Sequence, residues 1–270
     1  MKTILVPLWV TAACCASTFP VIADDNDNRL AKGIQDNSFL IEEAYNQERD
    51  EVQHTITLQR QNRDWFFNFT QEWPLGSQNH QFSYTIPYSW LRLDGRRVQG
   101  IGDAQVNYRY QALYESDSTP AVAPRLSLIL PTGNPNKELG TGSPGYEVSV
   151  ALSKIVSDRV TVHANAGITS YFDVQGRQPT SFLLGGSVIY AVTREFNLML
   201  EVLGQREETV NAAREIERET SLTVNPGARY AFNLREGQLV VGAAAPIRFT
   251  KDATDIGAFL YLSFEHKFLK

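Results

Sequence analysis

From about residue 52 to the C terminus, apolar and polar residues alternate with a period of two in runs long enough to be strands whose two faces meet different surroundings. The clearest run is 160–172, where Val160, Val162, Ala164, Ala166, Ile168 and Phe172 oppose Thr161, His163, Asn165, Gly167, Thr169 and Tyr171. In 104–114, Ala104, Val106, Tyr108, Tyr110, Ala112 and Tyr114 oppose Gln105, Asn107, Arg109, Gln111 and Leu113. The same reading sets Phe82, Tyr84, Ile86, Tyr88 and Trp90 against a polar face, and likewise Tyr146, Val148, Val150 and Leu152, and Phe196, Leu198, Leu200 and Val202. Twelve segments follow: 52–60, 63–73, 80–92, 102–115, 122–131, 145–155, 159–172, 181–192, 195–206, 217–232, 237–249 and 255–268. Strands of soluble sandwiches run about 5 to 6 residues, whereas a tilted strand crossing a bilayer needs about 9 to 11. With aromatics gathered at strand ends (Trp73, Trp90, Phe172, Phe196, Phe264, Phe268), these lengths predict an all-β fold: one transmembrane antiparallel β-barrel of about 12 strands, closed because lipid tolerates no unpaired edge.

Connection lengths agree with an up-and-down order. Ser157-Asp158, Thr193-Arg194 and 233–236 are tight, whereas 132–144, 173–180 and 207–216 are longer, so both termini and the tight turns are placed on the periplasmic side. Ahead of the barrel, residues 24–51 do not alternate. Ser38 to Asp50 could form one short helix, and 24–51 is expected to be a periplasmic tether or, as the second choice, a lumen-inserted plug. Residues 1–23 read differently: Lys2, an apolar run from Ile4 to Ala16, then Val21-Ile22-Ala23 before Asp24-Asp25, the anatomy of a secretory signal cut after Ala23. Both cysteines, Cys14 and Cys15, fall inside it, so the exported chain of domain 52–270 would fold without disulfides.

Composition removes several classes. In 270 residues, 43% are hydrophobic, 20% charged, and only 2 are Cys, which excludes a disordered, collagen-like or disulfide-dense chain. A net charge of -5, with no Lys/Arg block, argues against nucleic acid as a partner. No apolar stretch past the leader reaches the ~18 to 20 residues of a membrane-spanning helix. The stretch Gly140-Thr141-Gly142-Ser143-Pro144-Gly145 matches a dinucleotide fingerprint, but a strand follows it where a helix is needed, and Pro144 removes a donor. Asn68-Phe69-Thr70 lies within a strand and reads as a chance match.

Catalysis finds no local signature: there is no G-x-S-x-G, no H-E-x-x-H, and His54, His80, His163 and His266 show no metal-ligand spacing. No cofactor or metal is expected, and the chain reads as no enzyme. The non-lipid face carries Arg109, Arg125, Glu147, Arg159, His163, Glu201, Arg229, Arg248 and Glu265, with Lys267. These residues are the candidate lumen lining, either pairing with one another to close a small barrel or lining a path that selects the solute. The expected partners are a small-molecule solute, outer-membrane lipid and lipopolysaccharide, and the barrel-assembly machinery, for a monomer in the outer membrane of a Gram-negative bacterium. The alternating Leu260, Leu262, Phe264, His266 and Phe268 look like the C-terminal assembly signal of such barrels, with Leu269-Lys270 after the aromatic as a departure.

The chain resembles a family, the bacterial outer-membrane transporters assigned to the MetA pathway of phenol degradation. The resemblance rests on Asn37-Ser38-Phe39-Leu40-Ile41-Glu42-Glu43-Ala44-Tyr45-Asn46-Gln47-Glu48 with Val52-Gln53-His54, on Gly100-Ile101-Gly102-Asp103, and on Leu130-Pro131-Thr132-Gly133-Asn134 leading to Gly140-Thr141-Gly142-Ser143. It implies an outer-membrane barrel and passive transport of small, aromatic or hydrophobic solutes, and it brings no catalytic residues. The alternatives are an outer-membrane hydrolase and a structural or adhesive barrel.

Overall fold

The structure, a computed structural model, describes residues 28–93 and 95–268, so the signal reading of 1–23 lies outside the described residues. Fifteen strands follow one short helical turn: β1 (Glu51–Gln61), β2 (Asp64–Pro74), β3 (His80–Leu93), β4 (Arg96–Ile101), β5 (Ala104–Tyr110), β6 (Ala121–Leu130), β7 (Gly145–Ser157), β8 (Val160–Tyr171), β9 (Thr180–Ala191), β10 (Phe196–Val210), β11 (Ile216–Leu234), β12 (Gly237–Ala244), β13 (Ile247–Thr250), β14 (Thr254–Ile256) and β15 (Ala258–Lys267). All pairings are antiparallel, and β1 pairs with both β2 and β15, which closes the sheet. Three staves are each made of two strands: β4 with β5, β12 with β13, and β14 with β15. The barrel therefore has twelve staves.

Each interruption has a local cause. At Gly102 the backbone presses on Pro87, donating its N–H to the Pro87 carbonyl at 2.9 Å. Pro246 has no N–H to give to a ladder, and its carbonyl instead accepts the Gly257 N–H at 2.8 Å. At Gly257 a β-carbon would sit 2.3 Å from the Arg60 carbonyl oxygen, so that crossing admits only glycine.

The burial of the two faces decides between membrane and soluble architectures. Leu128, Val148, Leu200 and Leu260 are half exposed on the outer wall, while Ser127, Ser153, Glu201 and Asn225 are buried inside, at 0%, 1%, 0% and 0%. An apolar exterior around a polar interior inverts a soluble core and is stable where the exterior meets hydrocarbon. Trp65, Trp90, Tyr108, Tyr110, Tyr190, Tyr230 and Phe268 stand exposed toward the rims, where amphipathic rings anchor a barrel between acyl chains and headgroups. None of the described helices is long and apolar enough to cross a membrane, and the crossing is made by strands.

Four expectations need correction. The fourth stave begins at Arg96 and ends at Tyr110, where 102–115 was expected, because the chain turns back already at Gly95, in the left-handed conformation with φ +79°. Beyond Gln111 the alternation has no meaning: Leu113 is exposed in the connection 111–120. That ten-residue stretch lies at the end of the barrel that carries the termini, so the longer connections do not all lie on the opposite side. Half of the stretch 207–216 is strand, since β10 and β11 extend one hairpin beyond the rest of the wall. Finally, no helix forms within 38–50.

Val150 faces outward and Ser149 inward on β7. The variant Val150→Arg should lose about 2 to 4 kcal/mol if its side chain meets the middle of the bilayer, with Ser149→Arg far milder. Reversible unfolding from lipid vesicles measures both; equal losses, or a larger one at Ser149, would mean that the apolar face does not meet lipid.

Candidate functional site: a plugged lumen

Ahead of β1 the chain runs inside the barrel. A 3₁₀ turn, η1 (Leu30–Lys32), sits at the end bearing the termini, with the Ala31 N–H donated to the Asp158 carbonyl at 2.9 Å. Gly33 then passes so close to the Arg194 carbonyl that a β-carbon would lie 2.0 Å from its oxygen. From there the segment rises to Phe39-Leu40-Ile41 within the wall and descends through Ala44 and Asn46 to Glu51.

This segment has no regular structure, so its backbone N–H and C=O groups need partners from elsewhere. The inner wall supplies them. A single carboxylate oxygen, Glu201 Oε1, accepts three consecutive backbone N–H groups, from Phe39 at 2.9 Å, Leu40 at 2.7 Å and Ile41 at 3.0 Å. The other oxygen, Oε2, accepts Asn225 Nδ2 at 2.6 Å. Asn165 binds Glu42 twice, accepting its N–H at 2.7 Å and donating to its carbonyl at 2.9 Å. Arg229 donates to the carbonyls of Asp36 at 2.9 Å and Asn37 at 2.5 Å, and Arg109 to those of Glu43 at 3.2 Å and Tyr45 at 2.6 Å. Asp36 Oδ1 accepts Tyr261 OH at 2.6 Å and Gln53 Nε2 at 2.9 Å, and Ser38 and Ser187 share a hydrogen bond at 2.7 Å.

Apolar anchoring is equally specific. A β-carbon at Gly227 or Gly242 would come within 2.5 or 2.6 Å of the Phe39 ring, and one at Gly185 within 2.5 Å of Ile41 Cδ1. These inward glycines are sockets. The Phe39 ring also lies 5.4 Å from that of Phe259 and 5.5 Å from that of Tyr261, separations typical of favourable aromatic pairs. Burial raises the carboxyl of Asp36 despite Arg229 beside it. In Glu43, burial and the neighbouring Asp36 raise the carboxyl to about 8 against the pull of Arg109 and Arg229.

Above this plug a cavity of about 360 Å³ lies in the lumen, floored by Phe39 to Glu42 and walled by Thr55, Thr57, Asn68, Thr70, Thr85, Gln105 and Asn107. Arg125 reaches it pinned between two carboxylates, Glu42 from the plug and Glu147 at 2.5 Å.

Of the nine residues expected along the lumen, six gather around the plug: Arg109, Arg229, Glu201 and Arg125 hold it directly, Glu147 pairs with Arg125, and His163 accepts or donates at Ser153 Oγ, 2.6 Å away, while Ser153 takes the Ala44 N–H at 2.7 Å. The other three lie elsewhere. Arg159 is exposed at the β7–β8 turn and donates to the Val192 carbonyl at 3.1 Å. Arg248 bridges Glu207 at 3.3 Å and Glu219 at 2.7 Å near the far mouth, and Glu265 is half-buried close to the termini, opposite Gln53. The neutral residues Asn165, Ser187, Asn225 and Tyr261 and the socket glycines were missed. The signal available for the glycines was their place at inward positions of the alternation, where a missing side chain leaves room.

Ser153 and His163 form the serine–histidine contact nearest to a nucleophile arrangement, but Ser153 is 1% exposed under Ala44, so no substrate carbonyl can reach its oxygen. The G-x-G-x-x-G stretch forms an outer connection whose Thr141 N–H is held by Asp103 Oδ2 at 2.8 Å, and no helix opens there.

A family model described as "Putative MetA-pathway of phenol degradation" matches residues 42–264. Among solved structures, an outer membrane channel from Pseudomonas putida F1 is similar with a TM-score of 0.63 at 12% identity, over 83% of this chain and 98% of that one. The KdgM porin (TM-score 0.50, 10% identity, 80% of this chain and 99% of that one) and the NanC porin (0.50, 10%, 79% and 98%) share the fold. No curated protein matches the chain.

Replacing Glu201 by Ala strips three backbone N–H groups, two of them buried, of their acceptor, at roughly 1 to 3 kcal/mol for each buried group left unsatisfied. Glu201→Ala and Gly227→Val should each release the plug, read as a higher single-channel conductance in planar bilayers and faster proteolysis within 34–47. Unchanged conductance and cleavage in both variants would mean that these contacts do not hold the segment.

Proposed function

Since the chain belongs to the MetA-pathway of phenol degradation family, we propose that it is a passive outer-membrane channel for small uncharged solutes, closed at its periplasmic half by residues 34–47. The observation that carries this reading is that the arginines of the lumen are matched within the protein. Arg109 and Arg229 are spent on plug carbonyls, Arg125 on Glu42 and Glu147, and Arg248 on Glu207 and Glu219. Besides Arg125 and Glu42, which pair with each other, the cavity offers a solute hydroxyl and amide groups, the Phe39, Phe259 and Tyr261 rings, and one carboxyl, Glu72, whose Oε2 accepts Gln81 Nε2. That surface suits a small molecule with a flat apolar face and one or two hydrogen-bonding groups, the chemistry of a phenol. A solute with a full charge would have to compete with ion pairs already formed.

The outward apolar belt and closed sheet support a place in the outer membrane of a Gram-negative bacterium, reached through the barrel-assembly machinery. The proposed channel is a monomer, since β1 pairs with β15 and one chain closes the barrel without a strand from another.

Flux through proteoliposomes tests the proposal. Neutral phenol-sized solutes should pass faster than benzoate-like anions of equal size, and Arg125→Ala, which exposes Glu147, should slow anions further. Arg109→Ala should raise total flux by loosening the plug. Preference for anions would overturn the neutral-solute reading, and absence of any flux in plug-released variants would favour a structural or adhesive barrel. Hydrolysis of an ester abolished by a single Ser or His substitution outside the plug contacts would instead favour the enzyme.

The pH response follows from Glu43. Its docked value, about 8, lies above the ordinary 4.5, so the docked plug favours the protonated form. Docking is strongest below about pH 4.5 and weakens progressively as pH rises towards 8. Conductance should increase over that window, and Glu43→Gln should flatten the response; an unchanged profile in that variant would contradict the assignment.

A further inference from the structure

The end of the barrel away from the termini carries, on its outer wall, a row that the strand register builds from distant parts of the chain. Arg60 on β1 stands opposite Trp65 on β2, Trp65 opposite Trp90 on β3, and Trp90 opposite Gln99 on β4. One step nearer the rim, Arg92 stands directly opposite Arg97, with Arg63 beside them just before β2. Trp65 and Trp90 are 37% and 39% exposed, and together with Arg63, Arg92 and Arg97 they line a groove of about 420 Å³.

Two features of this groove point to a ligand. Like charges directly across an antiparallel pair destabilise a sheet, yet Arg92 and Arg97 are so placed and make no ion pair among the described residues. The acid beside them, Asp64, has its Oδ1 committed to the Arg92 backbone N–H at 2.8 Å. Paired guanidinium groups recognise phosphate through parallel N–H donors, and here they stand at the rim of a Trp-lined wall that faces acyl chains. The groove thus offers cationic groups at headgroup height above an apolar, aromatic floor at acyl height. This combination fits a ligand that is itself phosphorylated above and acylated below.

We propose that this groove binds the lipid A portion of lipopolysaccharide, with a glucosamine phosphate held by Arg92, Arg97 and Arg63 and an acyl chain laid over Trp65 and Trp90. The site fixes the height and rotation of the barrel in the outer leaflet and is independent of the transport reading.

Native mass spectrometry of the full chain in detergent, with bis-phosphorylated lipid A added, tests it. A one-to-one adduct should form. The variant Arg92→Gln/Arg97→Gln should weaken it at least tenfold, Trp65→Ala/Trp90→Ala severalfold, and Lys251→Gln, on another outer connection, should leave it unchanged. Heat-modifiable gel mobility verifies that each variant folds, and Arg97→Gln alone serves if the double variant does not. Dephosphorylated lipid A should bind as weakly as the double variant binds the native lipid. Equal retention by the Arg variants overturns the site. So does equally tight phosphatidylglycerol, which would mark a general anionic-lipid surface, or displacement by inorganic phosphate alone, which would mark a free-anion site. Self-association through this face in place of lipid binding would overturn it as well.

Discussion

Hydrocarbon accepts no unpaired backbone N–H or C=O, and this constraint shapes the whole molecule. It forces the strands into a closed ladder, turns the apolar side chains outward, and leaves the polar faces of twelve staves to meet one another across a narrow space. A small barrel with so polar an interior must be filled by water or by protein. Here protein fills the part nearer the termini, and the segment that does so is irregular because its hydrogen bonds are made by side chains of the wall. Irregular backbone at this depth is stable only where it is buried in protein, and Glu201, Asn165, Arg109 and Arg229 are the residues that make it so.

The plug and the lumen are one polar network. Phe39 and Ile41 enter glycine sockets, a match of shape, while Glu201 and the arginines hold the backbone on either side, a match of charge to dipole. Because Arg125 is shared between the plug's Glu42 and the wall's Glu147, displacement of the plug also changes the charge presented to the cavity above it. In the proposed channel, closure and selectivity are in this way tied to the same few side chains.

The fold was legible because its cause acts residue by residue: each strand position faces either lipid or lumen, and the period-two pattern records which. Val160 to Ile168 shows this, where every assignment of face agrees with the burial found. The fourth stave was misplaced because its first half, Arg96–Ile101, opens on two arginines near the outer rim, where the alternation that marks lipid contact fades. The plug was harder to read, since 28–50 has no periodicity, and its partners lie on strands up to more than two hundred residues away, as with Asp36 and Tyr261. Charged lumen residues could be listed from the pattern, but their partners could not. The same holds for the arginines of the outer rim: no basic block exists along the chain, and β-pairing assembles one from Arg60, Arg63, Arg92 and Arg97.

The central claim is that residues 34–47 occupy the lumen in the working protein and control passage through it. Ser38 and Ser187, whose hydroxyl oxygens lie 2.7 Å apart, offer a direct test, because the sequence has only two cysteines, Cys14 and Cys15, both ahead of this segment. In a Ser38→Cys/Ser187→Cys variant, oxidation should form the crosslink in folded protein and hold conductance at its closed level, and reduction should restore the openings. Failure of the crosslink to form, or the same conductance before and after reduction, would contradict the account.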